Sequence, residues 1–176
     1  SAIVKALKSY TYLDQADIVR VIIQEGRGDT LLILRHKLKA DIKVRRDYDP
    51  SLPLIDAHGS ELNQVWTNII DNAADALHSG PDGAALPNAM ITLRTRQEGK
   101  WIIVTIEDNG PGIPADALPR IFDAFYTTKP IGQGTGLGLD ISYNIVVRKH
   151  QGDIRVKSAP GLTQFEVWLP KVLEEE

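Results

Sequence analysis

Asn68, Asp71, Asn72 and Asp75 lie within Ser60–Leu77, and Asn68 and Asn72 stand four residues apart, a spacing that puts both side chains on one face of a helix. An asparagine on an otherwise apolar face costs free energy unless its amide is hydrogen-bonded or bound to a ligand. A neutral amide oxygen is also a hard donor of the kind Mg²⁺ takes. A plain polar helix surface is the equal alternative for these residues taken alone. A second group, Asp108-Asn109-Gly110-Pro111-Gly112-Ile113, directly follows a β-branched run. A carboxylate at a strand end beside glycines can accept a hydrogen bond from an exocyclic amine, such as that of adenine, while the backbone approaches the ligand closely. The alternative there is a simple Asn-Gly turn.

The third group is GQGTGLGL, Gly132 to Leu139, at the start of a helical pattern. Its glycines let backbone N–H groups turn toward an anion, and the helix adds the positive end of its dipole. Gly132, Gly134, Thr135, Gly136, Leu137 and Gly138 together read as a phosphate cradle. It is not a P-loop, because no Gly-Lys-Ser/Thr follows and Lys129 precedes the glycines. Nor is it a dinucleotide fingerprint, since no strand leads straight into it. Between the second and third groups lies FDAFYTTK, Phe122 to Lys129, with two of the chain's three phenylalanines. These two rings are expected to anchor a mobile lid by packing on the core. Thr127, Thr128 and Lys129 either reach phosphate oxygens or lie on the solvated lid surface. No group decides the matter alone; their order and spacing do.

The elements that must hold these groups follow from hydrophobic period and punctuation. Apolar residues at helical spacing over 1 to about 13 predict the end of a helix, and Ile18 to Ile23 a strand. Gln24 to Leu38 predicts a helix, with Gly26 and Gly28 leaving its start open. Ile42 to Tyr48 alternates as a strand, and Leu54 to Ala57 could pair back on it. Ser60 is placed as the N-cap of a helix reaching Leu77, with Leu62, Val65, Ile69, Ala73 and Ala76 inward. Met90 to Arg96 and Trp101 to Glu107 form a hairpin about Glu98-Gly99-Lys100. A long Gly- and Pro-rich stretch from 109 to 137 holds one short helix near Ala117 to Phe122, and a loop of that length is usually functional. Leu139 to Lys149 is a helix, and Asp153 to Ser158 with Thr163 to Leu169 a closing hairpin. The two hairpins demand antiparallel pairs, so the expected fold is an α/β two-layer sandwich. Its sheet is mixed and mainly antiparallel, with helices on one face and a long lid.

Bulk composition narrows the classes. At 176 residues with 43% hydrophobic content, the chain is long and apolar enough for one domain with a real core. A net charge of -3 offers no basic field for nucleic acid or anionic lipid. The absence of cysteine rules out disulfide scaffolds, thiolate zinc sites and cysteine nucleophiles. No apolar run reaches the length needed to span a bilayer, and a cytoplasmic location is expected, whether the parent is soluble or membrane-anchored.

Taken together, these residues resemble the catalytic and ATP-binding domain of sensor histidine kinases, within the wider family that includes gyrase, Hsp90 and MutL ATPases. ELNQVWTNIIDNAADAL resembles the N box, DNGPGI the first glycine box, FDAFYTTK the phenylalanine box and GTGLGL the second glycine box. GLTQFEVWLP resembles the closing strand, so the likeness covers about Val21 to Pro170. It implies that Asn72 ligates Mg²⁺, that Asn68 supports the metal or the phosphates, and that Asp108 binds the adenine amino group with help from Thr163. It implies too that Gly110 and Gly112 let the nucleotide approach, while Gly134, Gly136 and Gly138 cradle its phosphates. Where gyrase-type ATPases carry a water-activating glutamate, this chain has Asn68, and an amide is no general base at neutral pH. Transfer to another acceptor is therefore favoured over hydrolysis. Leu162 and Asp75 depart from the family, standing where a second glycine and a basic residue are frequent.

The domain layout expected is 1–17 as the end of a dimerisation and phosphoacceptor hairpin plus linker, 18–171 as the catalytic domain, and 172–176 as a tail. The acceptor histidine is not found among His36, His58, His78 and His150, which read as surface or structural. Expected partners are ATP, a histidine-bearing hairpin of the parent and, through the parent, a response regulator receiver domain. Nucleic acid and direct membrane contact are not expected, and the chain alone is expected to be monomeric. The alternatives are another ATPase of the superfamily, an anti-sigma-type protein serine kinase, and a nucleotide-binding module without catalysis.

Overall fold

The β-branched runs Met90–Glu98 (β4) and Trp101–Asp108 (β5) fold back on each other in the computed structural model, which describes residues 14–16, 38, 41–126 and 138–173. Glu98 pairs with Trp101 and the ladder runs without a break to Ile91 and Asp108. Gly99 makes the turn possible with a φ of +54°, a left-handed conformation that carries no Cβ penalty in glycine. Asp153–Ala159 (β6) and Leu162–Pro170 (β7) form the second hairpin around Gly161, and β7 pairs antiparallel with β5. Lys43–Asp47 (β2) joins the far edge parallel to β4. The sheet order is β2-β4-β5-β7-β6, mixed and mainly antiparallel as expected.

One face of this sheet is covered by Gly59–Leu77 (α1) and by the helical segment that starts at Leu139–Tyr143 (α2). The α1 residues Leu62, Val65, Trp66, Ile69, Ile70, Ala73, Ala74 and Leu77 are buried. They share a core with Ile91 and Leu93 of β4, Ile102, Val104 and Ile106 of β5, and Phe165, Val167 and Leu169 of β7. Burying so many branched side chains is the main drive that seats α1 on the sheet. The opposite face has no helical layer among the described residues. There Ile103 is still fully buried, flanked in register by Arg96 and Trp168. The Arg155 guanidinium lies 4.0 Å from the Trp168 ring centre, a cation–π contact that covers apolar surface without a helix.

Several local expectations are corrected. Ser60 lies inside the first turn of α1, and the N-cap is His58, whose side chain makes no capping bond. Instead the His58 backbone N–H donates to Nε2 of His150 at 3.0 Å, while Nδ1 of His150 donates to the Ile145 carbonyl at 2.8 Å. This buried imidazole is thereby held neutral, and desolvation lowers its pKa. The ion pair of Lys149 with Glu61 closes the same junction. Ala76 is half-buried and Ala74 takes the deeper position. Ile55–Ala57 (β3) pairs antiparallel with Asp14–Ala16 (β1), residues expected in the linker, instead of with β2. Beyond Tyr143 the helix widens to a π-turn over Asn144–Lys149, and the short helix in the long loop is a 3-10 turn at Leu118–Arg120. The helix expected over 1–13 and the strand over 18–23 lie outside the described residues, as does most of the helix ending at Leu38.

The close fit between the two hairpin-bearing strands and α2 is sharpest at Gly152, where an added Cβ would stand 2.1 Å from the Trp168 carbonyl oxygen. Gly152→Ala should lower the melting temperature by overpacking, at a cost of about 1–3 kcal/mol. Gly59 has open space around it, so Gly59→Ala should be neutral or stabilising by up to about 1 kcal/mol. Thermal melts of both variants check this packing, and equal shifts would contradict it.

Candidate functional site

The polar stripe of α1 touches both glycine segments of the chain. Asn68 donates from Nδ2 to the Gly138 carbonyl at 3.0 Å and to Ser142 Oγ at 3.3 Å. Gly138 O also accepts from the backbone and hydroxyl of Ser142. The buried Ser142 thus fastens the start of α2 to the asparagine. Two turns further on, an added Cβ at Gly110 would stand 3.3 Å from Ala76 Cβ. Asn68, Asn72 and Ala76 are successive members of one i, i+4 row. Eight residues of α-helix span about 12 Å, so Asn72, itself half-buried, lies midway between the end of the second glycine box and the start of the first.

Asp108 closes β5 in a buried position. Its Oδ1 accepts the Gly110 N–H at 2.9 Å. Burial pushes its carboxyl up to about 6, partly offset by that hydrogen bond and reinforced by the nearby Glu107 charge. Such a carboxylate lacks the solvation its charge demands, and a donor group from a ligand would supply it. The loop beyond must turn hard against β6. Gly112 has a φ of +87°, and a Cβ there would come within 2.5 Å of the Ala159 carbonyl oxygen. Asn109 clasps the loop from the other side: its Oδ1 accepts the Met90 N–H at 2.8 Å and its Nδ2 donates to the Asn88 carbonyl at 2.7 Å. Thr163 is paired with Asp108 across β5 and β7 and shares a 2.9 Å hydrogen bond with Ser158.

The structure therefore places Asn68, Gly138, Asp108, Gly110, Gly112 and Thr163 along one side of α1 and the sheet ends beside it. Lys129, Gly132, Gly134, Thr135, Gly136 and Leu137 lie outside the described residues, as do Thr127 and Thr128. The lid's two aromatic rings divide. Phe122 packs on the core and lies 5.5 Å from the Tyr143 ring, whereas Phe125 is 73% exposed and does not anchor it. Ser142, Ser158 and Asn109 were missed as site residues. Each has a partner distant in sequence, Asn68 for Ser142, Ile113 for Ser158 and Asn88 for Asn109, and a serine in a strand or helix carries no local mark.

The raised pKa has a sign that stability can test. Native Asp108 holds its proton up to about pH 6, above the ordinary carboxylate value of 3.8. Its contribution is most favourable below that ordinary value and is lost as pH rises through 6. Asp108→Asn keeps an acceptor for the Gly110 N–H and removes the charge. It should raise the melting temperature at pH 8 and change it little at pH 4; equal shifts at both would contradict a burial cost.

With the geometry in place, comparison with known proteins agrees. Residues 57–173 match the family described as histidine kinase-, DNA gyrase B-, and HSP90-like ATPase. The sensory histidine kinase/phosphatase NtrB of Salmonella typhimurium is 38% identical over 196 residues, covering 94% of this chain and 53% of that protein. Sensor kinase CckA of Brucella abortus is 35% identical, covering 85% of this chain and 16% of that protein. The chain thus spans about half the length of the first relative and far less of the second. The solved catalytic domain of histidine kinase ThkA superposes with a TM-score of 0.75 at 25% identity, over 91% of this chain and 96% of that one. The chain belongs to the histidine kinase-, DNA gyrase B- and HSP90-like ATPase family, and its relatives there are sensor histidine kinases.

Proposed function

We propose that this chain binds Mg·ATP between α1 and the two glycine segments and passes the γ-phosphoryl group to a histidine on a separate helical hairpin. The observation that carries this reading is the row Asn68–Asn72–Ala76, whose ends touch Gly138 and Gly110. In this reading the Asp108 carboxylate accepts the adenine amino group, with Thr163 beside it, and Gly110 and Gly112 let the base lie against the backbone. The triphosphate runs along α1 toward the second glycine box, where Gly132, Gly134, Thr135, Gly136, Leu137 and Gly138 offer N–H groups and Lys129 a positive charge. The Asn72 amide oxygen is the donor type that Mg²⁺ accepts alongside phosphate oxygens, and Asn68, held by α2, keeps that helix in place. When bound, Mg²⁺ neutralises charge on the phosphates.

The acceptor imidazole nitrogen forms the new bond to phosphorus as the bond to the β-phosphate oxygen breaks, leaving ADP. The chain's own contribution is positioning, with an amide at Asn68 that cannot act as a base to activate water. No helix among the described residues is long and apolar enough to cross a membrane. The proposed setting is the cytoplasm, where the parent's hairpin would hand the phosphoryl group to a response regulator receiver.

Calorimetry with Mg·ATP, followed by transfer from labelled ATP to an added histidine-bearing hairpin, tests the reading. Acid-labile label should build up on the hairpin and scarcely on this chain alone. ATP hydrolysis without acceptor, or no turnover despite tight binding, would contradict it. Asp108→Ala should weaken ATP binding by about five- to 150-fold, since an unpaired buried amine costs about 1–3 kcal/mol. Asn72→Ala should weaken binding more with Mg²⁺ than without; equal losses would remove its ligand role.

A further inference from the structure

The inner face of the sheet is apolar along most of its length, but its last row is not. Asp108 of β5, Thr163 of β7 and Ser158 of β6 stand opposite one another in register. They continue the inward positions of Ile106, Phe165 and Val156. Ser158 is the busiest of the three. Its Oγ receives the Ile113 N–H at 2.7 Å, lies 2.9 Å from Thr163 Oγ1, and lies 3.2 Å from the Leu162 carbonyl oxygen. An added Cβ at Gly112 would stand 3.3 Å from it. One side chain thus joins the first glycine box to the row that ends in Asp108.

A serine hydroxyl has one proton and two lone pairs. Ile113 takes one lone pair. The proton then goes to Thr163 Oγ1 or to the Leu162 carbonyl, and the Thr163 contact is the shorter. A proton given to Thr163 frees that threonine's own proton to point away from Ser158, on the side where a base held by Asp108 would lie. A proton given to Leu162 would draw the Thr163 proton back onto Ser158 and leave only lone pairs on the Asp108 side. Adenine presents a ring-nitrogen acceptor beside its amino donor, whereas hypoxanthine presents an N–H there. The first arrangement suits adenine and the second suits hypoxanthine.

We infer that Ser158 is a positioning residue for base selection, which fixes Thr163 as a hydrogen-bond donor toward the purine and pins the first glycine box through Ile113. The inference rests on the proposed nucleotide site. Removing the hydroxyl frees Thr163 to rotate and serve either polarity, so discrimination should relax even where the fold survives.

The test is affinity for ATP and for inosine triphosphate, each with Mg²⁺, in wild type, Ser158→Ala, Ser158→Cys, Thr163→Val and Ser158→Ala/Thr163→Val, with melts run alongside. The wild-type preference for ATP should fall by about fivefold in Ser158→Ala, the scale of one hydrogen bond, and by less in Ser158→Cys, which keeps a weak donor of similar size. In the Thr163→Val background, Ser158→Ala should change the ratio no further, because Ser158 acts through Thr163. An unchanged ratio in whichever Ser158 variant folds, or independent effects in the double variant, overturns the inference. Wild type that binds neither nucleotide instead overturns the site on which it rests.

Discussion

A carboxylate at the inner end of a central strand is a costly thing to fold. Asp108 sits there with its charge largely withdrawn from water, the Gly110 N–H donating to it, and its carboxyl pushed up to about 6. Much of the local architecture serves to keep it in that place. Its strand is held on both sides by ladders that reach its last residue. The loop after it can return to supply the Gly110 N–H because no side chain obstructs the turn. The loop's far end is fastened to β6 through Ile113 and Ser158, and its near end to β4 through Asn109. Desolvation maintained at one spot is characteristic of a binding group prepared for its partner.

Helix α1 relates this group to the rest of the site. Its buried residues seat it on the sheet, and its row Asn68–Asn72–Ala76 runs from Gly138 at Asn68 to beside Gly110 at Ala76. The N-terminus is fixed by His150, which joins α1 to the end of the helix whose beginning Asn68 holds. Both ends of the α2 segment are therefore tied to α1, and the second glycine box enters α2 at a defined height along α1. A rigid ruler of this kind suits chemistry that depends on holding a long, flexible ligand in register, where positioning supplies most of the rate.

How much of this could be read from the residues varies with the range of the interaction. The two hairpins were legible because their alternation and their glycine turns are local. Asp108, Gly110, Gly112, Asn68 and Gly138 were legible because order and spacing recorded them, and the structure brings them together. The cap of α1 was not: Ser60 has the right chemistry, but the acceptor that serves is an imidazole 92 residues away. The pairing of β3 with β1 in place of β2 depends equally on a distant strand. Phe125 was read with Phe122 as an anchor, yet Phe122 lies against Tyr143 whereas Phe125 is exposed. Ser158 escaped notice, and Asn109 was read only as part of an Asn-Gly turn, because hydroxyl and amide groups in such segments gain meaning only from where the fold carries them.

In the proposed site an amide-bearing helix, a buried carboxylate and glycine backbone from separate segments meet around one ligand. Backbone NMR on the labelled chain, titrated with Mg²⁺ and a non-hydrolysable ATP analogue, reads all three at once. Resonances of Asn72, Gly110, Gly112 and Gly138 should move together and saturate with a single dissociation constant. Movement confined to one segment, or separate constants for the two glycine boxes, would contradict it.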